Sequence, residues 1–251
     1  LFAYENSAVI GILTKEEKAL INPTMDTVFN NGDSVIAISE DDYTIKLSGK
    51  TTFDIKHNLF NRAEIKNVGI EKTLILGWND RGVRVIEELD NYVASGSQIT
   101  IVADIDGISM QIAELKKSVQ KQKIDFIKGD INDKATLINL KPETYDHLIL
   151  LSYMDIDLQE SDAKTLICLL HLRNLSEKVG KDFSIVSEML DIRNRDLGVV
   201  AKADDFIISH NLISLMLSQL SENKDLKKVY DILFQAEGSE VYLKPVSRYV
   251  K

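Results

Sequence analysis

The hydrophobic pattern divides the chain into a long central region and two flanking segments. From Lys72 onward, short apolar runs alternate with amphipathic stretches long enough to form helices. Six of these runs are predominantly apolar, which is typical of strands buried on both faces of a parallel sheet. The predicted strands are Thr73–Leu76, Ile99–Val102, Ile124–Ile127, Leu148–Leu151, Phe183–Val186 and Phe206–Ile208.

Amphipathic segments separate most of these strands. A stripe through Val83, Ile86 and Leu89 predicts a helix after the first strand, and Ile112 with Leu115 predicts one after the second. Two further helices are predicted at about residues 133–140 and 160–175. Buried strands joined by single helices predict an α/β fold with a Rossmann-like, doubly wound parallel sheet.

The flanking segments have a different pattern. Ala8–Leu13 and Ser34–Ser39 are predicted as short strands, and residues 43–68 show no sustained period. Beyond the sheet, two amphipathic helices and a strand are predicted, at Leu212–Leu220, Leu226–Phe234 and Glu240–Leu243. We therefore divide the chain into residues 1–45, a connector at 46–70, the sheet domain at 71–210, a helix pair at 211–235 and a last segment at 236–251.

Composition narrows the functional classes. The net charge of −9 over 251 residues argues against a nucleic-acid partner, which needs a concentrated basic face. Cys168 is the single cysteine, so the chain has no internal disulfide, and its apolar neighbours predict that it is buried. No apolar stretch reaches the ~20 residues that cross a bilayer. The chain begins at Leu1 rather than Met, and we expect it to be a piece of a longer protein.

The turn after the first predicted strand carries the main cofactor signal. Dinucleotide folds place G-x-G-x-x-G at this point, where the middle glycine lets the backbone approach a pyrophosphate. Here Gly77 and Gly82 fill the outer places and Asn79 replaces the middle glycine. Asp104 and Asp130 follow the second and third strands, where they could meet a ribose or an adenine. Tight NAD binding is not expected, whereas a mononucleotide could still reach the two aspartates.

No catalytic set is evident in the sequence. The four histidines are scattered, and none has a serine, cysteine or carboxylate at a spacing that predicts a triad or a metal cage; they are His57, His147, His171 and His210. We therefore expect a protein that is not an enzyme.

Acidic residues follow the fourth and fifth predicted strands. Asp157 follows the fourth, and Glu188 and Asp191 follow the fifth. Loops at the carboxyl edge of a doubly wound sheet converge, and calcium takes oxygen ligands from several loops, so these three residues are candidate Ca²⁺ ligands. The alternative is structural: Glu188 would pair with a cation such as Arg193 or Arg195, and Asp191 would cap a helix.

Several segments together resemble the RCK (also called KTN or TrkA-N-like) regulatory domains of potassium channels and transporters, and especially the CASTOR/POLLUX-type cation channels and their bacterial relatives. The segments are Thr73–Trp78, Ser187–Leu197, Asp205–Met216 and Glu237–Pro245. In particular, Leu76-Gly77-Trp78 stands where such domains have Gly-x-Gly. The resemblance implies that residues 1–45 are the C-terminal lobe of a preceding RCK-type domain and that residues 236–251 begin a following one.

The resemblance also implies a function. Such domains are cytosolic, sense a ligand, pair through the helices after the sixth strand and form rings that gate a membrane pore. We thus expect a ligand-sensing gating domain of a potassium or other cation channel at the cytoplasmic face of a membrane, with a pore domain and further copies of the chain as partners. Calcium-gated members have acidic residues matching Asp157 and Glu188, but a third acidic place is Leu190 here, next to Asp191. A separately encoded peripheral subunit of a K⁺ transporter and an NAD-dependent oxidoreductase remain alternatives.

Overall fold

The computed structural model of the protein describes residues 4–52, 54–61, 69–194 and 206–250. The chain forms two compact units, Leu1–Lys66 with Gln219–Lys251, and Asn67–Ser218. Arg195, Asp196, Leu197 and Asp205, which belong to the segments that carry the resemblance, lie outside the described residues.

The first unit is built around a small antiparallel sheet of three strands in the order β3-β2-β4. A further pair, β1 and β5, is also antiparallel. The strands are β1 (Tyr4–Glu5), β2 (Ser7–Leu13), β3 (Ala19–Ile21), β4 (Ser34–Ser39) and β5 (Lys46–Leu47). The two strands predicted here are confirmed, whereas the short strand β3 was missed because three residues cannot establish an alternating pattern.

The second unit contains a six-stranded parallel sheet. Its strands are β6 (Lys72–Leu76), β7 (Ser97–Ala103), β8 (Gln122–Lys128), β9 (His147–Leu150), β10 (Ile185–Met189) and β11 (Phe206–Ile208). Within the described ranges, the helices that alternate with the strands are α1 (Arg81–Tyr92), α2 (Ile108–Ser118), α3 (Lys134–Leu140) and α4 (Leu158–Val179). All six predicted strands are confirmed in position. The order β8-β7-β6-β9-β10-β11 is that of a doubly wound Rossmann-like fold.

Side chains on the two faces of this sheet form separate apolar clusters. In β6, Leu74 and Leu76 join the cluster that contains Leu172 of α4, and Ile75 joins the opposite cluster with Ile86 of α1. This alternation buries both faces, as the apolar strands predicted. The predicted burial of Cys168 is confirmed, and burial raises the pKa of its thiol.

Two helices follow the sheet, α5 (Ser209–Glu222) and α6 (Leu226–Phe234). Helix α6 belongs to the first unit, where Val229 is buried and Lys228 forms an ion pair with Glu17 at 3.1 Å. Farther along, the Ser239 hydroxyl donates to the carbonyl of Ile21 at 2.9 Å. The last segment therefore packs with the first strands, and its assignment to a different RCK copy stays a prediction.

The predicted strand at Glu240–Leu243 is wrong. These residues have no strand conformation, and Val241, Tyr242 and Leu243 are exposed. Their β-branched and aromatic content favours a strand only where a neighbouring strand offers hydrogen bonds, and none pairs with them among the described residues. Within the described residues, no helix is both long and apolar enough to span a membrane.

A carboxylate that the sequence pattern did not identify fixes α1 against β8. The Asp90 side chain is buried and accepts hydrogen bonds from the backbone N–H groups of Gln120, Lys121 and Gln122 at 2.8, 2.9 and 3.1 Å. The Asp90 side chain of α1 thus accepts from the backbone amides of the turn into β8. A carboxylate is a stronger acceptor for these amides than a neutral group.

We expect Asp90→Asn to destabilise the protein by about 1–3 kcal/mol, because the amide removes the charge and turns an N–H₂ group toward backbone donors. The control Glu88→Gln removes an exposed carboxylate that pairs with Arg84 and accepts a long hydrogen bond from Asn91, and it should cost less than about 0.5 kcal/mol. Urea unfolding measures both variants. Equal midpoints would contradict the role of Asp90.

Candidate functional site

The candidate site lies at the carboxyl edge of the parallel sheet, between β6 and β9, where the strand order reverses. In doubly wound folds this switch point forms the ligand crevice. The turn from β6 to α1 forms one side, the loop after β9 the other, and the end of β10 and the start of α5 complete it.

Both glycines of the turn are required by packing inside the protein. Gly77 has φ +82°, and a Cβ there would lie 2.1 Å from the carbonyl oxygen of Leu151. A Cβ on Gly82 would lie 2.7–2.9 Å from ring carbons of Trp78. Trp78 is itself buried, and its indole N–H donates to Gln111 of α2 at 3.3 Å. The glycine spacing that resembles a phosphate-binding turn therefore also makes room for the buried Trp78 side chain.

Asn79, in the place of the middle glycine, is buried and joins three segments. Its Nδ2 donates to the carbonyl of Ser152 at 2.7 Å and to Oε2 of Glu188 at 2.8 Å. Its Oδ1 accepts from the backbone N–H of Arg81 at 2.9 Å. Only 6% of the residue is exposed, so this side chain is part of the interior rather than an edge of an open crevice.

Glu188 is the centre of this network. It is 9% exposed, and Oε1 contacts the Arg81 guanidinium and accepts from the Ser209 hydroxyl at 2.7 Å. Its Oε2 accepts from Asn79 and from the backbone N–H of Ser152 at 3.2 Å. Arg81 also donates to Ser209 at 3.1 Å. A buried carboxylate needs such donors, and here they come from three separate parts of the chain, namely the turn that opens α1, the loop after β9 and the start of α5.

The amides at the start of α1 have hydrogen-bond partners within the turn itself. In a dinucleotide fold, free amides at this helix end bind phosphate. Here the N–H of Arg81 donates to Asn79 Oδ1, and the N–H of Gly82 donates to the Asn79 carbonyl at 2.9 Å. The Arg81 guanidinium is paired with Glu188, and the exposed Asp80 adds a negative charge. These contacts disfavour a phosphate at the turn.

Asp104 and Asp130 lie near one another at the ends of β7 and β8. Burial raises the pKa of Tyr153 to about 12, and the charges of Asp130 and Asp104 add to this rise while a hydrogen bond to the backbone of Asp104 opposes it. Both carboxylates are exposed, and Lys128 lies 4.0 Å from Asp104. Of the predicted cofactor residues, these two face solvent, whereas Gly77, Asn79 and Gly82 are buried.

The structure does not bring the three predicted calcium ligands together. Asp157 caps α4 by accepting from the N–H groups of Gln159 and Glu160, and Glu188 accepts from the donors described above. Over the described residues, no group of three or more His, Cys, Asp or Glu side chains could hold a metal ion.

The structural alternative predicted that Glu188 pairs with an arginine, and it does so, but with a different arginine from the two named. Glu188 pairs with Arg81 rather than Arg193, and Arg195 lies outside the described residues. Arg193 instead binds Asp191 at 2.5 Å. Hydrogen bonds from the Arg193 side chain and backbone lower the pKa of Asp191 to about 2.

Asp162, fully buried in the first turns of α4, is a further structural acid. Its carboxylate accepts from the N–H groups of Leu190 and Asp191 at 2.9 and 3.0 Å and from the side chain of Asn194 at 2.7 Å. It thereby holds the loop after β10 against α4.

Sequence reasoning missed the partners of Glu188. Arg81 stands inside the glycine pattern, and Ser209 follows the sixth strand directly. The available signal was the asparagine at position 79, because a side chain in a glycine position requires partners of its own.

We expect Gly82→Ala to destabilise the protein by about 1–3 kcal/mol, since the new methyl group overlaps the Trp78 ring. In a Trp78→Leu background the same substitution should cost less than about 1 kcal/mol, because the smaller side chain leaves room. Gly69→Ala is the control, with no atom within 4 Å of the added Cβ. Equal costs of Gly82→Ala in the two backgrounds would contradict the overlap with the ring.

Asn79→Asp should place two carboxylates in hydrogen-bond contact. Such a pair raises a folded-state pKa above its unfolded value, so the stability of this variant relative to wild type should be greatest at low pH and decrease as pH rises. Asn79→Ala should cost about 1–3 kcal/mol without that pH dependence. Unfolding free energies measured from pH 4.5 to 8 distinguish the two. Parallel pH profiles would show that Asn79 does not contact the Glu188 carboxylate.

Comparison with known proteins gives a consistent result. Residues 73–209 match the TrkA-N domain family. The chain is 24% identical to the probable ion channel POLLUX of Arabidopsis thaliana over 100% of its length, and 25% identical to the ion channel DMI1 of Medicago truncatula over 93%. It covers 34% and 30% of those proteins, so it spans about a third of the length of these curated relatives.

Among solved structures, the NAD(P)-binding domain of an exopolyphosphatase-related protein from Archaeoglobus fulgidus aligns over 61% of this chain and 98% of that domain, with 14% identity and a TM-score of 0.45. The family match extends over more than half of the chain and includes the glycine turn, Asn79 and Glu188. The predicted resemblance is thereby confirmed: the chain belongs to the TrkA-N (RCK) domain family and is similar to the CASTOR/POLLUX-type ion channels.

Proposed function

We propose that this chain is a regulatory domain of a cation channel, and that it senses a small ligand at the switch-point crevice and passes the resulting change to α5. The observation that carries the proposal is that Glu188 binds two segments at once: Asn79 and Arg81 at the turn after β6, and Ser209 at the first position of α5. A ligand that moves the crevice loops acts directly on the start of that helix.

The ligand proposed here is the nucleoside part of a nucleotide. Asp104 and Asp130 are exposed acceptors at the ends of neighbouring strands, and they can accept hydrogen bonds from ribose hydroxyls and from an adenine amino group. Tyr153, close to both, is buried in the core, and Lys164 lies 5.7 Å from its ring centroid, so the two aspartates themselves supply the polar contacts proposed for the ligand. The network at the turn keeps the phosphate outside, which favours binding over hydride chemistry and supports a protein that is not an enzyme.

The pore is proposed to lie in the part of the protein that this chain does not cover, with the domain at the cytoplasmic face of the membrane. The ion-channel relatives are about three times as long as the chain, which leaves room for such a part. Pairing of copies through α5 is part of the same proposal. Its apolar residues Leu212, Ile213, Leu215 and Leu217 are between 46% and 62% exposed, a surface that a second helix can cover.

Calcium is the second ligand that the resemblance implies. The acidic residues predicted for it are occupied by other partners, so calcium binding would require Glu188 to leave Arg81 or Asp191 to leave Arg193. Calcium therefore stays a prediction of the resemblance, and it is tested beside the nucleoside.

The proposed function is tested by cation flux through the longer protein that contains this chain, reconstituted in liposomes. The probes are adenosine, AMP, NADH and calcium chloride. We expect adenosine or AMP to change the flux, and Ser209→Ala to weaken that response five- to thirtyfold, because it removes the hydroxyl between Glu188 and α5. Ser214→Ala is the matched control, since its hydroxyl bonds only a carbonyl of its own helix.

Three results would contradict the proposal. Flux that no probe changes would remove the sensing role, and an equal loss in Ser209→Ala and Ser214→Ala would remove the role of the Glu188 contact. Turnover of NADH with any carbonyl substrate would replace the regulatory domain with a reductase.

A further inference from the structure

The surroundings of Glu188 have the chemistry of an anion site. The donors that converge on its carboxylate are a guanidinium from Arg81, an amide from Asn79, a backbone N–H from Ser152 and a hydroxyl from Ser209. Guanidinium, backbone amide and hydroxyl groups are the donors with which proteins bind phosphate. We call these four donor groups the anion cradle.

The position of the cradle in the fold strengthens its preference for negative charge. Arg81 is the first residue of α1, and Ser209 is the first residue of α5. The starts of two helices therefore border the cradle, and the N-terminal end of each carries a partial positive charge. The carboxylate is 9% exposed, so water does little to screen this field.

The Glu188 carboxylate contacts all four donor groups of the anion cradle. Each of its two oxygens contacts two donors, Oε1 with Arg81 and Ser209, and Oε2 with Asn79 and Ser152. A phosphate would therefore have to displace Glu188 before it could take the Nη1 group of Arg81 that the carboxylate binds. The carboxylate and a phosphate compete for the same donors.

We infer that Glu188 is an internal anion that fills a phosphate-binding cradle and excludes phosphorylated groups from the turn. It deepens the proposed function by fixing the ligand class: the wild-type crevice accepts the nucleoside part of a ligand and gains nothing from its phosphate. Asn79 contributes in two ways. Its Nδ2 donates to the Glu188 carboxylate, and its Oδ1 accepts from the backbone N–H of Arg81, which a phosphate at the helix start would otherwise use.

The test is binding of inorganic phosphate by this chain, measured by calorimetry and by thermal shift. Glu188→Ala empties the cradle and should bind phosphate at least tenfold more tightly than wild type. Glu188→Gln leaves the volume filled and removes the charge, and its gain should be smaller. The double variant Glu188→Ala/Arg81→Ala should lose the gain, since the guanidinium is the main donor. Phosphate salts also stabilise proteins in general, and this effect cancels when the thermal shifts of the variants are compared with one another.

Equal phosphate affinity in wild type and Glu188→Ala would overturn the inference, as would a gain that persists without Arg81. If Glu188→Ala does not fold alone, it should fold in phosphate buffer but not in chloride buffer at equal ionic strength, because phosphate supplies the missing anion. Failure to fold in both buffers would also overturn it.

A second comparison separates this inference from the proposed function. Wild type should bind AMP no more tightly than adenosine, whereas Glu188→Ala should prefer AMP. If wild type binds neither compound but the variant gains phosphate binding, the cradle is correct and the nucleoside ligand is wrong. If wild type binds AMP well above adenosine, the nucleoside site stands and the excluded phosphate is wrong.

Discussion

The burial of the Glu188 carboxylate is the constraint on which the candidate site depends. Removing a carboxylate from water costs several kcal/mol unless donors replace the lost hydration. The replacements come from the turn after β6, the start of α1, the loop after β9 and the start of α5. The turn and the start of α1 adjoin one another, whereas Ser152 and Ser209 are far from them along the chain, so these donors meet only in the folded protein. The interaction thus fixes the relative positions of the loops that would surround a ligand.

The same constraint explains why this turn differs from that of a dinucleotide-binding enzyme. A phosphate site needs open backbone and free amides, whereas this turn contains a buried tryptophan and a buried asparagine. Gly82 is kept small by the Trp78 ring, and Gly77 by the carbonyl of Leu151. The glycine pattern is thus compatible with a turn that is packed by interior side chains and is connected through Glu188 to α5.

Buried acids with structural roles recur in this unit. Asp90 and Asp162 each accept two or three backbone N–H groups, and each joins a helix to a loop at a different edge of the sheet. Both are buried, so they are unavailable to an external cation without loss of these contacts. Part of the acidic character of the chain is therefore an internal feature of the fold. It is a poor guide to metal binding, because a carboxylate in a loop is an equally good acceptor for backbone amides.

The sequence by itself determined the parallel sheet, the order of its elements and the family. Runs of apolar residues with one helix between them permit little else, because such strands must be covered on both faces. It also placed the glycine turn and the aspartates at the carboxyl edge of the sheet, since they follow predicted strands. Only the tertiary structure decided which residues meet there. Arg81, Ser152 and Ser209 have no periodic signal, and a polar side chain chooses its partner by three-dimensional distance and by the need to satisfy buried charge. For the same reason the strand expected at Glu240–Leu243 failed: strand propensity is local, whereas the neighbour that completes a strand is not.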